Sequence, residues 1–258
     1  MIYDVQKASF LKRVSAYILD FILLTIIATG AALLIAVIVD YDGQAQIYED
    51  KKTFYENKYS TEDFKIDFDI QESAFKELTS DKIELINTAY EEFRNDQEAI
   101  KAYNLLISLM LMITSISIFI AHLILEFILP LILKNGQTVG KKIFGVAVMH
   151  TNSVKVNHLA MFARAILGKY TIETMIPVMM AIMIYFGAWG LGGFAILLLF
   201  FSAQLIVLCV TKNNSCLHDL LSGTVAVDLA SQMIFESEEK MLEYKKAQHA
   251  KKVEKSVY

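Results

Sequence analysis

Three side chains that can carry charge or a proton, Asp20, His122 and Glu126, interrupt stretches that are otherwise apolar, and each needs a chemical reason. Asp20 is the single charge between Ala16 and Val39. A carboxylate in a membrane-crossing helix costs roughly 2.5–3.5 kcal/mol, so such groups face a bundle interior and find partners. Arg13 lies seven positions earlier on the same helix face, about 10 Å away along the axis, so the two mark one stripe without touching. In a second apolar run, His122 and Glu126 share a face at i,i+4. Glu126 falls at a depth comparable to Asp20. Together the three could form a protonatable or cation-binding patch. The alternative is that these groups hold helices together and reach toward the interface.

Other motifs carry less. Gly136-Gln137-Thr138-Val139-Gly140-Lys141-Lys142 has three residues between its glycines, where a phosphate loop needs four and a Ser/Thr after the lysine. The spacing instead makes Thr138 a helix cap, with Lys141 and Lys142 as lipid-facing anchors to anionic headgroups. Cys216 and His218 are too few for a metal site, so no metal or cofactor is expected. No nucleophile–base arrangement or nucleotide fingerprint supports an enzyme, and nothing suggests a nucleic-acid partner. Cys209 and Cys216 lie away from the long polar segment, which argues against a disulfide framework.

The elements that position these residues follow from hydropathy. The 258-residue chain is 55% hydrophobic with only 2 prolines, above the ordinary soluble range of about 45–50%. Ala16–Val39 and Leu105–Leu133 are each long enough to cross a bilayer. The stretch 172–211 would extend about 60 Å as one helix, twice the hydrocarbon thickness. It therefore folds back near Gly187-Ala188-Trp189-Gly190-Leu191-Gly192-Gly193, as two spans or a re-entrant hairpin. Pro130 and Pro177 mark kinks or helix boundaries.

The sequence predicts an all-α integral membrane protein with four transmembrane helices, a small cytoplasmic β element and an extracytoplasmic insertion. Its parts are 1–39, 40–103, 104–133, 134–171, 172–211 and 212–258. Lys7, Lys12 and Arg13 precede the first span. Lys134, Lys141, Lys142, Lys155, Arg164 and Lys169 lie in 134–171 without an acid. Basic residues in short loops stay inside, so both termini and 134–171 are expected in the cytoplasm of a cell-membrane protein.

Residues 40–103 carry 17 acidic and 8 basic side chains and would lie outside. Phe64, Ile66, Phe68 and Ile70 alternate as in a strand. Asp81 and Glu84 resemble a capping box ahead of a helix that could run into the second span. The segment is either a solvated acidic spacer or a small folded cap. Around His150–Ser153, Val146 and Val148 would pair with Val154 and Val156 in a hairpin, which Thr224–Val227 could join. The tail from Met233 reads as a solvated helix, with Glu236 and Lys240 at i,i+4.

Three separated motifs resemble the RDD family: Arg13 with Asp20, the run from Gly136 to Val148, and the run from Leu217 to Val227. The arginine and two aspartates of the family name match Arg13, Asp20 and Asp219, and Arg164 resembles a recurrent arginine. The resemblance covers roughly 8–39 and 120–228 and says nothing of 40–103. It implies a small multi-pass membrane protein with a polar cluster of Arg13, Asp20, His122, Glu126, Arg164 and Asp219. Transport, including cation/proton exchange, is the role usually suggested for the family. Four helices are few for alternating access, so a carrier would form a homo-oligomer. The competing reading is a membrane adaptor whose acidic segment binds an extracytoplasmic protein.

Overall fold

A computed structural model describes residues 5–133, 135–187 and 189–256, without the side chains of residues 72, 252 and 254–256. Lys134 and Ala188, which entered the basic tally and the glycine-rich turn, lie outside the described residues. The chain is mostly helical and divides into two units, Gly30–Ile116 and Met1–Thr29 with Ser117–Tyr258. Among the described residues, four helices are long and apolar enough to cross a membrane: α1 (Phe10–Ile38), α4 (Gln97–Leu133), α6 (His158–Tyr185) and α7 (Gly190–Val210).

Within 30–116, the acidic segment is a folded element. Helices α2 (Tyr41–Tyr59) and α3 (Ser80–Asn95) pack on each other. Ile86, Ala89 and Phe93 recur at helical spacing on α3 and are buried. Phe93 stacks near Tyr48, Tyr55 and Phe68 with ring centroids 5.5–5.8 Å apart. The strand expected at 64–70 does not form. Its backbone is satisfied by side chains of the preceding helix end, Ile66 N–H donating to Ser60 Oγ at 2.9 Å and Phe68 N–H to Glu56 Oε1 at 2.9 Å. No strand partner is then required. The expected capping box at Asp81 is also displaced, because α3 starts at Ser80 behind Thr79. Asp96 separates α3 from α4. Its carboxylate accepts the Glu98 amide at 2.7 Å and the Tyr55 hydroxyl at 3.1 Å, capping the span helix and tying it to α2.

The other unit contains the sites. Strands β1 (Val146–His150) and β2 (Thr224–Asp228) pair antiparallel, with Val148 opposite Ala226. Ala147, Met149, Val225 and Val227 form one small core, while Val148, Val156 and Met161 form another. The expected local hairpin is largely replaced by this long-range pairing. A turn does close at 150–153, with His150 N–H to Val154 O at 2.8 Å. Beyond a single bridge from Lys155 to Met149, the returning backbone bonds Phe235 instead.

The expected boundary between the parts 134–171 and 172–211 falls inside one helical rod, α6, capped by Asn157. Inside it, Ala163–Met175 is π-helical, and so is Leu123–Ile128 inside α4. Leu129 N–H bonds Ile124 O and Ile176 N–H bonds Thr171 O, the i→i+5 pattern of a widened turn. Pro130 and Pro177 both stand just past these stretches, where the helix returns to α geometry. Helix α6 ends at Tyr185 and α7 begins at Gly190, and the two pack on each other, as the glycine-rich run predicts. Gly193 packs so closely that a Cβ there would lie 2.6 Å from Ile184 Cγ1. Short helices α5 (Val139–Ile143) and α8 (Leu217–Ser222) precede β1 and β2 respectively. The tail forms α9 (Glu238–Ser256), with the anticipated Glu236–Lys240 pair spanning its start.

Candidate functional site

Two buried charge clusters lie in the 1–29/117–258 unit. The first is built around α5. Asp20 on α1 accepts the Thr138 hydroxyl through Oδ2 and the Gly140 amide through Oδ1 at 2.8 Å. The Asp20 carboxylate therefore closes the first turn of α5 from outside the helix, where unpaired amides favour an anion. Gly140 is required by this approach, since a Cβ there would collide with the Ala16 carbonyl oxygen and lie 2.9 Å from Asp20 Oδ1. Thr138 caps α5 as expected, its hydroxyl accepting from the Lys141 amide at 3.4 Å.

Lys141 is a correction. It is buried rather than lipid-facing, with Nζ 3.7 Å from Glu126 Oε2 and 3.3 Å from Thr138 Oγ1. Lys142 beside it is exposed. Burial pushes the Lys141 ammonium down to about 8. Glu126 opposes that shift, and Lys169 and Arg164 add to it. Glu126 is also bonded by Lys169 of α6, so one buried carboxylate serves two lysines. His122 does not complete this cluster. Its Nδ1 lies 3.0 Å from Ile118 O and its Nε2 3.3 Å from Thr174 Oγ1.

The second cluster joins α6 to α8. Arg164 bonds Asp219 directly and donates to Thr224 Oγ1 at 2.7 Å. Arg164 Nη2 also lies 3.0 Å from His218 Nε2. A guanidinium only donates, so Nε2 must accept and His218 carries its proton on Nδ1. That proton points at Glu173, 2.7–2.8 Å away. Arg13 reaches the same place, with Nη1 donating to Asn214 O at 2.6 Å and Nη2 3.9 Å from Asp219 Oδ2. Arg13 is thus a secondary partner of Asp219, behind Arg164. Burial pushes the Asp219 carboxyl up, but Arg164 and His218 more than offset it and hold it well below the usual range.

Cys216 Sγ, a His218 ring nitrogen and an Asp219 oxygen lie within 4.8 Å of one another, close enough to suggest a metal. Their partners oppose that. Both imidazole nitrogens face other groups, and two guanidiniums neutralise the carboxylate, so the set is an ion-pair cluster.

Sequence reading identified Arg13, Asp20, Glu126, Arg164 and Asp219 but missed Lys169, Glu173, His218 and Thr224 as their partners. The missing signal is the π-helix. In an α-helix residues five apart point about 140° apart. The i→i+5 pattern brings Arg164 and Lys169 toward one side of α6. A cavity of about 460 Å³ touches both clusters, with Asp20, Lys141, Arg164, Lys169, Glu173 and Asp219 on its wall.

No curated protein and no solved structure matches the chain. The model of the RDD family matches residues 7–223, a range that holds Arg13, Asp20, Arg164 and Asp219 and the charged residues of both clusters. With most of its length inside that match, the chain belongs to the RDD family.

Proposed function

We propose that the protein is a cell-membrane secondary carrier exchanging a monovalent cation for a proton, with its termini in the cytoplasm. The observation that carries this reading is Glu126, a buried carboxylate held between the ammonium groups of Lys141 and Lys169. Lys141 has its proton affinity lowered to about 8, so it can lose a proton near physiological pH. When Lys141 releases its proton, a cation such as sodium can take the vacated place beside Glu126 Oε2. One positive charge leaves and one arrives, so the low-dielectric cluster keeps its net charge. Binding of the cation and binding of the proton are then mutually exclusive, which is the requirement for exchange.

This assignment moves the titrating role from Asp20 to Lys141 and Glu126. Asp20 has both oxygens engaged in holding α5 against α1, and His122 is turned to other partners. Arg164 and Asp219 clamp α6 to α8 and keep the cluster in register.

Purified protein in vesicles under a proton gradient, challenged in turn with sodium, potassium and lithium, tests the reading. Cation-dependent dissipation that Glu126→Gln and Lys141→Gln abolish, and that folded Asp20→Asn retains in part, supports it. Folded wild-type protein with no flux for any cation removes it.

The adaptor reading draws on one observation, the folded and acidic 40–103 segment with its aromatic core. A carrier of this kind has no evident use for such an element. Replacing 45–100 by a short linker separates the two readings. Retained flux favours the carrier, and loss of a copurifying protein favours the adaptor.

A further inference from the structure

The polar side of the cavity beside the charge clusters is electrically balanced. Asp219 holds Arg13 and Arg164, Glu126 behind the wall holds Lys141 and Lys169, and Thr138 and Gly140 engage Asp20. Glu173 faces the ring of His218. Four cationic side chains thus stand against four carboxylates, Glu126 included, so the cavity presents no net charge to an occupant.

Its outer wall is apolar. The lining residues that are exposed are Phe10 and Tyr17 of α1 and Phe201 and Leu205 of α7. Asp20, Arg164 and Asp219 on the polar side are buried. The cavity is therefore reached past apolar and aromatic side chains of two helices apolar enough to span, where hydrocarbon would lie. Entry by that route favours a lipid-soluble molecule over an ion. At about 460 Å³ the space falls within the roughly 300–1,000 Å³ of sites for organic molecules, far above the about 30 Å³ of one water.

One polar group interrupts the apolar wall. Phe201, Gln204, Leu205 and Leu208 fall at i, i+3, i+4 and i+7 along α7, and all four line the cavity. Three of them are apolar and Gln204 ends in an amide. Its Nε2 is buried and has no hydrogen-bond partner among the described residues. An unpaired donor in such surroundings is costly, and an acceptor brought by an occupant removes that cost. The terminal torsion of a glutamine is soft, so the amide can turn toward the cavity without disturbing α7.

We infer that the cavity binds one uncharged lipid, its carbonyl oxygen accepting a hydrogen bond from the Gln204 amide and its hydrocarbon lying against Phe201, Leu205 and Leu208. A lipid ester and a long-chain quinone share that chemistry. A charged headgroup would need a counter-charge that the balanced polar side does not supply. A hydrocarbon without an oxygen would leave the amide unpaired. The inference stands apart from the exchange reading, because no flux enters its test.

The test uses full-length protein in mild detergent, with lipid retention counted by native mass spectrometry. Diacylglycerol, a long-chain quinone, phosphatidylglycerol and squalene are added separately at equal concentration. One carbonyl lipid per chain should be retained in preference to phosphatidylglycerol and squalene. Whichever of diacylglycerol and quinone is held more tightly identifies the source. Gln204→Leu should weaken that retention roughly fivefold, about the worth of one neutral hydrogen bond, and leave squalene unaffected. The variant removes no existing bond of Nε2, so its melting temperature in detergent without added lipid should not fall. Leu205→Trp keeps the amide but narrows the opening, and should weaken retention of both carbonyl lipids. Unchanged retention in that variant would place the lipid outside the cavity and overturn the proposal. Retention unchanged by Gln204→Leu, or squalene or phosphatidylglycerol held as tightly as the carbonyl lipids, overturns it as well.

Discussion

Arg164 and Asp219, 55 positions apart in the chain, form a buried ion pair in which the side chains are 3% and 1% exposed. Breaking a buried pair from one side leaves an uncompensated charge, which costs about 3–5 kcal/mol. Arg164→Met is therefore expected to lower the melting temperature in detergent sharply. Arg164→Met combined with Asp219→Leu should recover part of that loss, because no lone charge remains. A double variant less stable than the single one would mean that the pair contributes more than its own compensation.

The attachment of α5 to α1 predicts an order of severity. Gly140→Ala pushes a methyl group into the Ala16 carbonyl and the Asp20 carboxylate, so α5 must move. Asp20→Asn keeps the shape and loses charge-assisted bonds, at about 1–3 kcal/mol. Thermal unfolding should rank wild type above Asp20→Asn and Asp20→Asn above Gly140→Ala. The reverse order would remove Asp20 from its capping role.

Acid should weaken the α6–α8 junction through His218. Burial and the adjacent Arg164 push the His218 imidazolium below its ordinary range, while Asp219 and Glu173 oppose the shift. The unfolded chain then binds the proton more readily, so stability from the neutral ring is complete above about pH 6.5 and is lost as pH falls through the folded-state value. Asp219, also lowered, contributes above about pH 4 and loses that contribution only in stronger acid. The melting temperature should fall between about pH 7.5 and pH 5, and His218→Asn should flatten that decline. An identical decline in the variant would place the titration elsewhere.

Cys216 should be a slow thiol. Burial first, then the neighbouring Asp219 and Glu173, push its thiol up, so little thiolate forms at neutral pH. Alkylation by iodoacetamide, followed by peptide mass spectrometry, should be slower at Cys216 than for free glutathione at the same pH. Faster alkylation would contradict the packing of Cys216 against Arg13.

The aromatic core of 40–103 predicts a cooperative element. Phe93→Ala removes the ring around which Tyr48, Tyr55 and Phe68 gather, a change costing about 3–5 kcal/mol in a packed core. Limited proteolysis should cut the variant within 40–100 much faster than the wild type. Equal cutting would make the segment a spacer.

The apolar runs by themselves determined four helices long and apolar enough to span and the break near Gly187 and Gly190, because backbone in hydrocarbon must satisfy itself within a helix. Single charges within those runs pointed to Asp20 and Glu126, since an isolated charge there demands a partner. The Arg164 and Asp219 motifs pointed to the second cluster. Tertiary structure alone decided who the partners are. Thr138 and Gly140 meet Asp20, Lys141 turns inward to Glu126, and His218 bridges Arg164 and Glu173. Those contacts depend on π-helical turns that shift the phase of α4 and α6, and on β1 pairing with β2 instead of with its own hairpin. Neither has a local sequence signal, because each is selected by packing between segments far apart in the chain.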